Sequence, residues 1–287
     1  INPLPPFTTF VNIGSMNDPE LPLTLLNLYL THTDPSKLFV GLCLQNDDDK
    51  PLRTSLLPPG WFFSNVRVVS FPPAHATGPL FARSVASSMF RGEDMFVQID
   101  SHMRFREGWD THLRWELERR RKDDGGKDKR VITTYPEGFR YREDNSTIDV
   151  DGMGDTGTVL RPLHVTEREG VWRQKGVRIK NDAEAERAPP LLAAGFFAFN
   201  VKGKLPVKFP TNLHDLFFGE EVLLAKLFWE AGFAFCSTKL PIVYHLWERD
   251  GRGRKIEKTV GEREKSALQE ILAIGGGKWE EEIEKWR

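Results

Sequence analysis

The sequence predicts an α/β fold in which a mostly parallel sheet is covered by helices on both faces. Three observations carry that prediction. Strand and helix patterns alternate through the first half of the chain, the order that generates parallel strands joined by crossover helices. Strand segments such as Leu38 to Leu44, and Met95 to Ile99 apart from Gln98, are apolar runs, as expected of strands buried on both sides. The 287 residues, 39 % of them hydrophobic, suit one large α/β domain or two small ones with a sizeable core.

Thr8 to Ile13 reads as the first strand, bounded by Gly14-Ser15. Leu21 to His32 follows as a helix, with Pro22 tolerated in its first turn and Leu21, Leu25 and Leu28 on one face. Leu38 to Leu44 and Val66 to Phe71 are the next strands, and Pro79 to Phe90 is a helix that again starts on proline. Met95 to Ile99 is a strand that runs straight into Asp100. Trp109 to Arg121 reads as an amphipathic helix and Val131 to Tyr135 as a strand. From about Pro136 to Pro190 the pattern is irregular and reads as excursions and short strands, with Lys122 to Lys129 before it as an exposed loop insertion. Leu191 to Asn200 is apolar and aromatic. Glu220 to Ala231 is a helix closed by Gly232. Phe233 to Cys236 and Ile242 to His245 are late strands, and Glu262 to Ile274 and Trp279 to Trp286 are charged helices.

The net charge of −1 gives no general pull toward nucleic acid or a membrane surface. The basic run Arg119 to Lys122 sits beside acids and reads as a solvated helix end. Cys43 and Cys236 lie in apolar strands, which favours buried free thiols and a reducing, cytoplasmic compartment. The sequon Asn145-Ser146-Thr147 pulls the other way, toward a Golgi lumen if an N-terminal anchor has been removed. No apolar run is long enough to span a bilayer. The chain starts at Ile1 and enters a strand almost at once, as an excised domain would.

Ligands of open α/β sheets bind beyond the carboxyl ends of the strands, and Asp100-Ser101-His102 lies at such an end. In extended chain Asp100 and His102 point to one side and Ser101 to the other. A carboxylate with an imidazole suits a borderline divalent ion such as Mn²⁺, and a metal there would clamp a diphosphate. The competing reading is a polar strand end whose histidine caps a loop. His245 follows another short apolar strand and offers a third metal ligand or a structural imidazole. Glu220 and Glu221 open a helix, where carboxylates favour the helix dipole or grip sugar hydroxyls beside Phe217-Phe218. Gly195 with Phe196 is either plain buried strand or a place where substrate approaches the backbone. Ser15 and Gln45 lie at the first two strand ends, where a nucleotide sits in such sheets, although Gln45 could equally face water. Arg83 is a phosphate partner or a surface charge. No phosphate-binding G-x-x-x-x-G-K-[ST] loop is present, no G-x-G-x-x-G follows a strand, and no G-x-S-x-G elbow or H-E-x-x-H pair appears.

Taken together these segments resemble the polypeptide α-N-acetylglucosaminyltransferases, including the protist hydroxyproline-modifying members. The resemblance is carried by Ala82-Arg83, Phe90 to Asp94, Gln98 to Phe105, Gly108-Trp109-Asp110, Thr133 to Pro136, Ala194-Gly195-Phe196, Phe217 to Glu221 and His245-Leu246-Trp247. They keep family order from about Phe10 to Trp247. Met16-Asn17 before Asp18-Pro19-Glu20, and Thr77 before Gly78-Pro79, depart from the aromatic and basic residues usual there. The resemblance implies a GT-A fold with a Rossmann-like sheet; the chain is expected to form a single catalytic domain over 1–287, with the C-terminal helical pattern as an extension from about 262. It implies retaining transfer of GlcNAc from UDP-GlcNAc to a Ser, Thr or hydroxyproline hydroxyl of a polypeptide. It also implies Mn²⁺ or another divalent cation at Asp100, His102 and His245. Glu220 and Glu221 would be the acidic pair at the donor sugar, with Ser15, Gln45, Arg83, Asp100, Gly195 and Phe196 as donor-binding residues. No nucleic acid and no membrane contact is expected of this segment. The alternative is a GT-A binding module, or a transferase that uses another UDP-sugar.

Overall fold

The computed structural model describes residues 7–123, 129–142, 148–150, 156–165, 172–213, 216, 219–248, 268–269, 272–273 and 277–287. In chain order, β1 (Thr9–Met16), α1 (Leu21–Thr31), β2 (Leu38–Gln45), α2 (Pro59–Asn65), β3 (Val66–Ser70), α3 (Pro79–Ser87) and β4 (Met95–Ile99) make up the first part. β5 (Met103–Phe105), α4 (Trp109–Asp123), β6 (Arg130–Thr133), β7 (Glu137–Tyr141) and β8 (Ile148–Val150) follow. Then come β9 (Thr158–Val165), β10 (Trp172–Arg178), α5 (Asp182–Glu186), β11 (Phe196–Asn200), α6 (Glu220–Glu230), β12 (Ala234–Cys236), β13 (Val243–His245) and α7 (Lys278–Glu284).

Seven strands form the main sheet in the order β12-β6-β11-β4-β1-β2-β3. All pairings are parallel except those of β11, which runs antiparallel to β4 and β6. Strand alternation divides the side chains between two cores. Val11, Ile13, Val97, Ile99, Phe196 and Ala198 face one core, with Leu21, Leu25 and Leu28 of α1 and Trp109, Leu113 and Leu117 of α4. Phe10, Phe96, Phe197 and Phe199 face the other, with Phe228 of α6 and with Trp279 and Ile283 of α7. Aromatic rings dominate this second core: Phe199 lies 5.2 Å from Phe96 and 5.1 Å from Phe228, centroid to centroid. The C-terminal helix is bound to it by Trp279 Nε1–H, which donates to the Pro190 carbonyl at 3.2 Å. A buried Lys226 ammonium also donates to the Leu272 carbonyl.

A second, four-stranded sheet runs β5-β13-β7-β8, and β9 with β10 forms an antiparallel pair. β7, β8, β9 and β10 all fall in the stretch from about Pro136 to Pro190 that reads as irregular in the sequence. Cys43 and Cys236 are buried free thiols. Arg119 is not simply solvated: it pairs with Glu116 and Glu186. Asn145-Ser146-Thr147, Phe217-Phe218, residues 124–128 of the expected insertion and residues 262–267 of the expected helix lie outside the described residues. Among the described residues, no helix is long and apolar enough to cross a membrane.

Candidate active site

The site is assembled by the ends of β4, β11 and β13. The antiparallel register that sets Phe196 opposite Ile99 carries Gly195 to Asp100, whose amide donates to the Gly195 carbonyl at 3.2 Å. After Asp100 the chain enters β5, and β13 pairs with it so that His245 lies opposite Met103. The Leu246 amide then donates to the His102 carbonyl at 3.2 Å, and the imidazoles of His102 and His245 meet with their Nε2 atoms 3.0 Å apart. His245 Nε2 is also 3.3 Å from Asp100 Oδ2. One ligand atom from each of Asp100, His102 and His245 falls within 4.8 Å of the others.

The surrounding groups orient these three. His102 Nδ1–H donates to Asp18 Oδ2 at 2.7 Å, which leaves Nε2 as the lone-pair nitrogen facing His245. Burial on its own would raise the Asp18 carboxyl, but the His102 and Ser101 contacts outweigh it and hold it below the usual range. Ser101 is not turned away as strand alternation predicts. Its hydroxyl donates to the same Asp18 oxygen at 2.5 Å, because β4 ends at Ile99 and alternation is no longer imposed. Asp100 uses its two oxygens differently: Oδ1 accepts from Arg83, while Oδ2 faces the imidazoles. Burial would raise this carboxyl too, yet Arg83, with His245 and His102, holds it well below the usual carboxylate range.

Arg83 is no surface charge. It is 7 % exposed, donates to Asp100 and, at 2.6 Å, to Glu220 Oε2, and so joins α3, the end of β4 and the start of α6. Burial alone would favour the neutral guanidine, but the two carboxylates overcome it and keep the charge. Glu220 Oε1 is buried and makes no hydrogen bond among the described residues. Glu221 is held by three donors: Tyr135 Oη–H at 2.8 Å and Gln174 Nε2–H at 3.1 Å to Oε2, and the Ala194 amide at 3.1 Å to Oε1. Burial, only partly offset by Tyr135 and Ala194, pushes its carboxyl up to about 7.

These groups line a cavity of about 760 Å³ that also takes in Ser15, Gln45, Gly195 and Trp247. Ser15 Oγ and Gln45 Nε2 are buried and make no hydrogen bond to protein among the described residues. Gln45 therefore does not face bulk water. A Cβ on Gly195 would lie 2.6 Å from Asp100 Oδ2, so the neighbour that demands glycine there is the carboxylate itself. Phe196 is the exception among the expected site residues. Its ring is fully buried in the α1/α4 core and it does not line the cavity, because its place on β11 turns it to the opposite face. Asp18, Tyr135 and Gln174 are the residues that the sequence reading missed as parts of the site. Asp18-Pro19-Glu20 and Thr133 to Pro136 stand out in the sequence, but Gln174 sits in a charged stretch with no motif around it.

The family model described as Glycosyltransferase (GlcNAc) matches residues 59–272, about three quarters of the chain. This chain belongs to the GlcNAc glycosyltransferase family. The chain has a GT-A fold, seen in its solved structural neighbours. It is similar to GalNAc-T7 solved with UDP, GalNAc and Mn²⁺, with a TM-score of 0.64 and 16 % identity over 96 % of this chain and 50 % of that one. It is also similar to residues 1–349 of S. aureus TarS in complex with UDP-GlcNAc, with a TM-score of 0.56 and 13 % identity over 93 % of this chain and 66 % of that one. The chain thus spans half the length of the first and just under two thirds of the second. A search of curated proteins gives no match.

Proposed function

We propose that this glycosyltransferase moves GlcNAc from UDP-GlcNAc to a Ser, Thr or hydroxyproline hydroxyl of a polypeptide, with retention of configuration and with a divalent cation such as Mn²⁺. The observation that carries the reading is the convergence of Asp100, His102 and His245 at a strand end, inside a cavity that Glu220 and Glu221 also line. A carboxylate and two imidazoles, one already orientated by Asp18, fit a borderline divalent ion. Such an ion would supply stabilisation of the negative charge on a departing diphosphate.

The chain's own residues do the rest. Asp18 keeps the His102 proton on Nδ1. Arg83 holds Asp100 by one oxygen so that the other stays directed at the imidazoles, and it contributes a buried positive charge beside the cavity. Ser15 and Gln45, with buried polar atoms that have no protein partner among the described residues, carry the nucleotide at the ends of β1 and β2. Glu220 and Glu221 orient sugar hydroxyls. Each is already engaged, Glu220 by Arg83 and Glu221 by three hydrogen-bond donors, which blunts both as nucleophiles. That supports attack by the acceptor on the same face from which UDP departs, with the leaving phosphate accepting the acceptor proton.

The test is incubation of the protein with a panel of UDP-sugars and hydroxyl-bearing peptides, with and without Mn²⁺, read by mass spectrometry and by NMR of the product anomer. Mn²⁺-dependent addition of GlcNAc with retention is expected. Transfer only from another UDP-sugar, an inverted product, or a sugar adduct on Glu220 or Glu221 would each overturn the corresponding part of the reading.

A further inference from the structure

Gln174 lies on β10, in the stretch where the sequence departs most from any recognisable pattern, yet its amide reaches the wall of the cavity. One Nε2 hydrogen goes to the Leu192 carbonyl at 2.8 Å, and the other is shared between Glu221 Oε2 at 3.1 Å and Tyr135 Oη at 3.0 Å. The orientation of the amide is fixed by its neighbours. Turned over, it would set its oxygen against the Leu192 carbonyl and the Glu221 carboxylate, both acceptors. Tyr135 Oη in turn donates to the same Glu221 oxygen at 2.8 Å. Glu221 therefore cannot change rotamer without breaking contacts to β10, to the connection between β6 and β7, and to the Ala194 amide.

We propose that Gln174 and Tyr135 are positioning residues for Glu221, so that the β9–β10 hairpin fixes the carboxylate that receives the donor sugar. The inference rests on the reading of Glu221 as a sugar-orienting group. It goes beyond that reading by assigning a role in donor recognition to the hairpin. Two donors from rigid neighbours reduce the number of orientations that Glu221 must give up when a sugar binds, and such preorganisation favours affinity for the sugar without touching the nucleotide.

The experiment is calorimetric titration with UDP-GlcNAc and, separately, with UDP, both in Mn²⁺. Wild type, Gln174→Ala, Tyr135→Phe, Glu221→Ala and the Gln174→Ala/Glu221→Ala double variant are compared. Loss of one such hydrogen bond is expected to weaken UDP-GlcNAc binding by roughly 3- to 10-fold in Gln174→Ala and in Tyr135→Phe. UDP affinity should stay within about twofold, and Gln174→Ala should have no further effect once Glu221 is alanine. Tyr135→Phe keeps the ring, so it retains the test if Gln174→Ala proves poorly folded. Unchanged UDP-GlcNAc affinity in both variants, an equal loss for UDP, or the full Gln174→Ala effect persisting without Glu221 would overturn the positioning role. Wild-type protein that binds UDP but not UDP-GlcNAc would overturn the donor assignment and the inference with it.

Discussion

Asp100 shows how much one side chain's position constrains its neighbours. Its Oδ1 is committed to Arg83 and its Oδ2 occupies the space that a Cβ on residue 195 would need. Gly195→Ala is therefore expected to push the carboxylate off the line toward His102 and His245, and to weaken Mn²⁺ binding about tenfold or more without unfolding the chain. Mn²⁺ titration followed by electron paramagnetic resonance, alongside circular dichroism, checks both halves. Asp18 acts one step further out. Asp18→Ala leaves all three candidate ligands in place but frees the His102 ring, and the expected loss of metal affinity is roughly 10- to 100-fold. Equal Mn²⁺ affinity in that variant and wild type would mean that His102 needs no such orientation. Asp100, His102 and His245 are legible in the sequence because each follows an apolar strand. Asp18 stands in the recognisable Asp18-Pro19-Glu20, but its role is not legible, since it works through another residue and nothing local shows that its carboxylate meets an imidazole 84 positions away.

At the level of elements, Arg83 is the joint between α3, β4 and α6, and isolated in a sequence it looks like any helical arginine. Its removal strands two carboxylates in a buried setting. Breaking such an arrangement by deleting one partner typically costs about 3–5 kcal/mol. Arg83→Met is expected to lower the melting temperature by on the order of 10 °C, and differential scanning calorimetry measures it. A fall of only a degree or two would mean that water reaches and rescues the two carboxylates. The main strands and helices were legible from their apolar runs, with ends that shifted for local reasons. β1 continues to Met16 because Gly14, Ser15 and Met16 find partners in Cys43, Leu44 and Gln45, a pairing that the turn-like Gly14-Ser15 hides. β9 and β10 were not resolved as a hairpin, because charged residues and glycine obscure the two-residue period across Arg161 to Val165 and Trp172 to Arg178. The antiparallel insertion of β11 is equally hidden, since an apolar run says nothing of direction, and the motif Ala194-Gly195-Phe196 that suggests Phe196 as a site residue does not show which face its ring takes.

For the molecule as a whole, the cavity carries a cost in folding free energy that depends on pH. Glu221 is buried, and its carboxyl titrates near 7 in the folded chain instead of at its ordinary value of 4.5. Between those values the folded state holds a proton that the unfolded state has released, so stability falls as pH rises through this window. The stabilisation that the group contributes is fully present below about pH 4.5 and is lost by the time the pH passes 7. A shift of this size corresponds to roughly 3 kcal/mol. Replacement by glutamine removes the titration while keeping the shape, so the difference in melting temperature between Glu221→Gln and wild type isolates this group from every other titrating residue. That difference is expected to move in favour of the variant as the pH is raised from 4.5 to 7.5 and to level off above it. Differential scanning fluorimetry across that range measures it. Parallel curves for the two proteins would mean that the three donors around Glu221 outweigh its burial and keep it charged throughout. The expected slope instead makes the carboxylate a group held in place at a cost, by Tyr135, Gln174 and Ala194, at the position where an incoming hydroxyl donor would offset that cost.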